Sequence, residues 1–268
     1  MKKRIIFLST LIVLFSCKDK TEKTEHHLTN SKKENHLNSK ITEPKPVITE
    51  KKNDTFEILI PKEYRDQGEE NEVNGLTKNW LDLYKKGGKY YLGKADYNIV
   101  RGFSECSGDS TKIINSKNNS ILLMNSPQLT LGEIETVTIG KKKIWPKEKL
   151  KFHFANKEYT LRAEGQVLSS EKVYTDNGEE IFQNVKNYKL YISSNNSPEQ
   201  LFLEEESFND TFVELFFIGD IDKDGKPDFI FGANRDYEEE RVILYLSSKA
   251  AKGKLIKKVS EADIQFDC

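Results

Sequence analysis

Between two runs of large apolar residues the chain carries the stretch IGDIDKDGKPDFIF, Ile218 to Phe231. Asp220, Asp222, Asp224 and Asp228 fall at positions 1, 3, 5 and 9 of a loop, with Gly225 at position 6. A hard divalent cation takes about six to eight oxygens at about 2.3–2.6 Å, and alternate residues of a tightly turning loop aim their carboxylates inward while glycine permits the sharp turn. The spacing therefore points to calcium, with the Lys226 carbonyl as a further oxygen at position 7. The alternative is a metal-free acidic turn, in which carboxylates held this close repel and raise one another's pKa.

The flanking elements narrow the reading. An EF-hand needs a bidentate glutamate at position 12 and a helix on each side, but position 12 is Phe231 and the flanks, Phe212–Ile218 and Phe229–Phe231, are β-branched or aromatic runs suited to strands. A strand, a DxDxDGxxD loop and a second strand, preceded by Gly219 and followed by Gly232 and Ala233, resemble the FG-GAP and VCBS-type repeat, the calcium-loop unit of β-propeller blades. The resemblance covers residues ~212–246. It implies a calcium site at Asp220, Asp222, Asp224 and Asp228, and a single copy cannot close a propeller.

Other reactive side chains offer weaker constellations. Glu204–Glu206, Glu214, Asp236 and Glu238–Glu240 supply carboxylates that could pair as acid and base in a carbohydrate-directed hydrolase, although runs of acids usually form solvated faces. An exposed Trp80 or Trp145 beside such a pair would support that alternative; Trp145, followed by Pro146, is expected to be accessible and Trp80 to lie in the core. A Ser/His/Asp triad would have to use His153, the only histidine after residue 55, and no GxSxG elbow accompanies it. Cys106 has no partner histidine for nucleophilic work.

The N-terminus sets the compartment in which those cysteines are read. Lys2, Lys3 and Arg4 precede an apolar run from Ile5 to Phe15, too short for a comfortable bilayer span and typical of a secretory signal. Leu14, Phe15, Ser16 and Cys17 resemble the bacterial lipobox, which implies cleavage after residue 16, palmitate-type acylation of Cys17 and anchoring to the outer membrane on its periplasmic or surface face. Lys18, Asp19 and Lys20 loosely resemble the surface-export signal of some Bacteroidetes lipoproteins. Outside the cytoplasm Cys106 and Cys268 can oxidise to a disulfide, with two unpaired buried thiols as the alternative.

Residues 17–55 hold no Phe, Trp or Tyr and are dominated by Lys, Glu, Thr, Asn and Ser, so they read as a polar tether, with His26, His27 and His36 as solvated residues of it. From Phe56 to Cys268 the composition suits one globular domain, and its 30 basic against 36 acidic side chains, with no basic block, argue against a nucleic-acid partner.

Within that domain the expected class is mainly β (α+β): an antiparallel sheet domain with one N-terminal amphipathic helix and the strand, calcium loop, strand unit near the C-terminus. Leu76, Trp80, Leu83 and Tyr84 recur at helical spacing, with Gly87 and Gly88 as a stop. Short apolar or alternating runs predict strands at Tyr90–Leu92, Ile121–Met124, Ile134–Ile139, Leu150–Phe154, Tyr159–Ala163, Tyr188–Ile192, Phe212–Ile218, Phe229–Phe231 and Val242–Leu246. In Lys149–Phe154 the alternation turns Leu150, Phe152 and Phe154 inward and leaves Lys149, Lys151 and His153 toward water. The expected function is that of an exported, lipid-anchored and calcium-stabilised envelope domain with a binding or structural role.

Overall fold

The computed structural model describes residues 55–66, 68, 71–175, 178–195 and 197–266. The leader, Cys17, the tether and Cys268 lie outside them. Four antiparallel sheets make up the described chain. The first runs in the order β1 (Glu57–Leu59), β7 (Ser120–Asn125), β3 (Leu81–Lys86), β4 (Lys89–Lys94) and β8 (Gly132–Ile134). A small sheet joins β2 (Glu63–Arg65), β6 (Ser110–Ser116) and β5 (Tyr97–Phe103). The third orders β12 (Ser197–Ser207), β11 (Gly178–Ser194), β10 (Lys157–Thr175) and β9 (Lys149–Phe154), and the fourth runs β13 (Glu214–Gly219), β14 (Asp228–Gly232), β15 (Glu239–Leu246) and β16 (Lys257–Gln265).

The fourth sheet is the centre of the molecule. Leu215, Phe229, Phe231, Ile243 and Tyr245 pack on its one face with Phe152, Leu161, Leu190 and Phe202 of the third sheet. Phe217, Ile230, Leu244 and Leu246 pack on the opposite face with Leu83, Leu92 and Leu122 of the first. A sheet covered on both faces needs apolar side chains at successive positions, which is why Phe229–Phe231 and Val242–Leu246 read as unbroken apolar runs while β9 alternates. β9 follows its expected pattern, since Phe152 and Phe154 are buried and the His153 side chain is 74% exposed. A bulge between Leu215 and Phe217 in β13 brings Ile218 back to the face that Leu215 occupies.

The expected helix is not formed. A 3-10 turn forms at Glu72–Gly75, opened by Asn71, whose side chain accepts from the Val73 amide. Leu81–Lys86 is instead β3. Gly87 and Gly88, which read as a helix stop, have φ of 58° and 84° and form the two-residue turn that returns β3 into β4, the arrangement in which both turn residues need positive φ. Tyr84 then stacks on Tyr91 across that hairpin. Trp80 is in the core as expected, its Nε1 donating to the Gly75 carbonyl at 3.0 Å, but it is held in the turn that leads into β3 rather than on a helix.

Two further expectations change. Trp145 is buried, 7% exposed, with its ring stacked on Phe212 at 4.0 Å between centroids and edge-on to Phe182. The predicted strand Ile134–Ile139 pairs as β8 only to Ile134; beyond it the chain lies along β13, where the Val137 amide donates to the Ile218 carbonyl at 3.0 Å and Leu215 donates to Lys142 at 2.9 Å. That segment covers the outer edge of the central sheet.

Candidate metal centre

The acidic loop joins β13 to β14 at one end of the central sheet. Its entry is set by Gly219, where an added Cβ would stand 2.6 Å from the Glu135 carbonyl oxygen; the chains pass closely enough for the Asp220 amide to donate to that same oxygen at 3.0 Å. Lys223 and Gly225 take φ of 63° and 80°, the left-handed conformations that wind the loop back on itself. Lys223 Nζ reaches the Leu131 carbonyl at 3.0 Å and ties the loop to the residue that leads into β8.

The winding brings three of the four aspartates together. Asp220, Asp222 and Asp224 each offer a carboxylate oxygen within 4.8 Å of the others. Asp220 is oriented by the amides of Asp224 and Gly225, each donating at 2.9 Å to a different carboxylate oxygen. Asp224 Oδ1 accepts from the Lys226 amide and from Ser247 Oγ, both at 2.9 Å, and its Oδ2 stands 3.2 Å from Lys226 Nζ. Asp222 Oδ2 accepts from Ser248 Oγ, and its Oδ1 is buried with no hydrogen-bond partner.

Asp228 is placed differently. Fully buried, it accepts from the Ile221 amide through Oδ2 and from the Ser247 amide through Oδ1, both at 2.8 Å. Its carboxylate closes the loop onto β15 and stands outside the converging trio. Ser247 and Ser248, which no loop pattern singles out, supply hydroxyls to the trio from the end of β15. Their only sequence signal is a pair of serines directly after an apolar strand.

The electrostatics favour a cation. Burial raises the pKa of Asp220, against the pull of the Gly225 and Asp224 amides. Burial and then the Asp224 and Asp220 charges raise that of Asp222, while the Ser248 hydroxyl lowers it. Burial also lifts Asp228 well above the usual carboxylate range, with Asp222 adding to the shift and its two amide partners opposing it. Carboxylates crowded this way are stabilised by a divalent ion, and the unpartnered Asp222 oxygen is the acceptor such an ion would satisfy. The donor set is all oxygen, which suits calcium or magnesium and not a thiolate-seeking metal.

Among the described residues, six of the eight remaining carboxylates of the sequence reading, all but Glu206 and Glu238, are held by basic or amide side chains. Arg241, itself buried, is bonded to Glu205 and, at 2.7 Å, to Glu261. Glu239 is paired with Arg235, Glu240 with Lys62 at 3.5 Å, Glu204 with Lys189 at 3.8 Å and Glu214 with Lys143 at 3.3 Å. Asp236 accepts from Asn209 Nδ2 at 2.7 Å. Both tryptophans are buried, so the exposed aromatic that a glycan-cleaving cleft would display is not supplied by Trp80 or Trp145. Cys106 sits in the exposed turn after β5.

No family model matches the chain, and neither a curated protein nor a solved structure matches it.

Proposed function

We propose that this chain is an exported, lipid-anchored envelope protein whose β domain is stabilised by calcium and serves a binding or structural role. The observation that supports it is the convergence of Asp220, Asp222 and Asp224 within 4.8 Å on a loop between two strands. Calcium bound there offsets the mutual repulsion of the carboxylates and ties the β13–β14 turn to the end of β15 through Ser247 and Ser248. The anchor is the acyl chain on Cys17, and a disulfide between Cys106 and Cys268 belongs to the same reading of an oxidising compartment.

Comparison of melting in calcium and in chelator tests the metal. A ligand that binds the folded loop and not the open chain stabilises by RT ln(1 + [Ca]/Kd). With a Kd of about 10⁻⁴ M, as in extracellular calcium modules, about 1 mM calcium contributes roughly 1.4 kcal/mol, or about 3–5 °C of melting temperature for a domain of this size. Identical melting curves with no heat of calcium binding would overturn the proposal. Membrane fractionation of Cys17→Ser tests the anchor: the variant is expected in the soluble fraction and the wild type in the membrane.

A further inference from the structure

A cavity bordered by three lysines lies against the acidic loop. It has a volume of about 220 Å³ and is bordered by Lys157, Lys226 and Lys254, by Ser194, Ser197 and Ser247, and by the apolar surfaces of Tyr159, Ile192 and Leu255. Lys157 stands at the turn between β9 and β10, Ser194 and Ser197 where β11 returns into β12, and Lys226 in the acidic loop itself. Lys254 is set in place from β12: Gln200 Oε1 accepts the Leu255 amide and Gln200 Nε2 donates to the Ile256 carbonyl, both at 2.8 Å. Five separate segments, the end of β15 with Ser247 among them, thus bring three lysines and three serines to one concavity of a domain whose overall balance is acidic.

Among the described residues neither Lys157 nor Lys254 forms an ion pair, and Lys226 has only Asp224 as a charged partner. Like charges gathered on one cavity repel, and an anion is the ligand that relieves them. Lysine ammonium groups and serine hydroxyls are the donors that a tetrahedral oxyanion accepts from. At about 30 Å³ per water, 220 Å³ holds about seven waters, room for one such anion and a few further heavy atoms but not for a polymer.

We propose that this cavity is a binding site for a compact phosphate- or sulfate-type oxyanion, free or as the monoester of a small polar molecule. Lys157 and Lys254 supply the charge, Ser194 and Ser197 donate to its oxygens, and Tyr159, Ile192 and Leu255 form the apolar wall that the organic part of a monoester rests on. Ser247 Oγ and Lys226 Nζ are already committed to Asp224 and border the site rather than holding the anion.

The test is calorimetric titration of the full-length protein in chelator, so that the result does not depend on the calcium reading, with inorganic phosphate, glycerol 3-phosphate and glycerol as probes. Both phosphates are expected to bind and to weaken as salt is raised, while glycerol gives no heat. Tighter binding of glycerol 3-phosphate than of phosphate assigns the site to a monoester, and equal binding assigns it to the free anion. The double variant Lys157→Gln/Lys254→Gln changes two exposed side chains, keeps the wild-type melting temperature and is expected to lose about tenfold or more in affinity. Glycerol binding as well as its phosphate, phosphate binding unchanged in the double variant, or no heat from either phosphate would overturn the proposal.

Discussion

The carboxylate of Asp228 accepts the backbone amide of Ser247, nineteen positions further along the chain, at 2.8 Å. Through this bond and its twin to Ile221 a buried side chain at the start of β14 holds both the acidic loop and the end of β15. Asp228→Asn keeps the shape but turns an amide N–H₂ toward one of two backbone N–H groups. A buried donor left unsatisfied costs about 1–3 kcal/mol. The variant is expected to melt lower by a similar margin in calcium and in chelator, which distinguishes a brace from a metal ligand; a loss confined to calcium would assign Asp228 to the ion instead.

Asp222 predicts the opposite pattern. Asp222→Ala removes a carboxylate with one unpartnered buried oxygen and one oxygen bonded to Ser248. In calcium the variant is expected to lose most of the roughly 1.4 kcal/mol that the metal contributes. In chelator it melts close to the wild type, because the repelling charge is gone as well. Differential scanning calorimetry under the two conditions reads both values.

Gly219 fixes where the loop begins. An alanine Cβ there would meet the Glu135 carbonyl at 2.6 Å and the Thr136 Cγ2 at 2.8 Å, and the first of these is backbone that cannot swing away. Gly219→Ala is expected to cost about 1–3 kcal/mol through forced displacement of the 135–137 segment. Because Asp220 is the next residue and bonds the same carbonyl, calcium affinity should fall in the same variant.

The acid limit of stability is set elsewhere. Burial pushes Glu239 up, but the Arg235 guanidinium and amide together hold its pKa below the usual carboxylate value, and Glu261 is lowered likewise by Arg241 and Lys258 against the effect of burial. A carboxyl whose folded pKa is depressed contributes stability that is present above its unfolded value, about 4.3, and is lost as pH falls through the folded one. Melting temperature is therefore expected to drop as pH is lowered below about 4.5. In Glu239→Gln that drop should be shallower, with a lower starting value at pH 7, as followed by circular dichroism.

The sequence by itself determined the chemistry of the loop and the class of the fold. Alternate aspartates with a glycine at position 6 declare an oxygen-rich turn whatever surrounds it, because the spacing of a short loop is local. The β class was legible for the same reason, since apolar runs of strand length and the alternation in Lys149–Phe154 are local patterns. What only the tertiary structure decided is which partner each local piece meets. Leu76, Trp80, Leu83 and Tyr84 match a helical stripe equally well, and it is the Gly87–Gly88 turn and the partner strands β4 and β7 that make Leu83 and Tyr84 extended, with Leu76 and Trp80 left in the approach to the strand. Trp145 next to a proline looks exposed until Phe212, sixty-seven residues away in the chain, stacks on it. Asp228 sits at a ligand position of the loop, yet the pairing of β14 with β15 delivers the Ser247 amide to it, and burial without an amide partner would be costlier than any loop geometry could offset. Long-range strand pairing carries these outcomes, and its register is a property of the whole packed sheet rather than of any one segment.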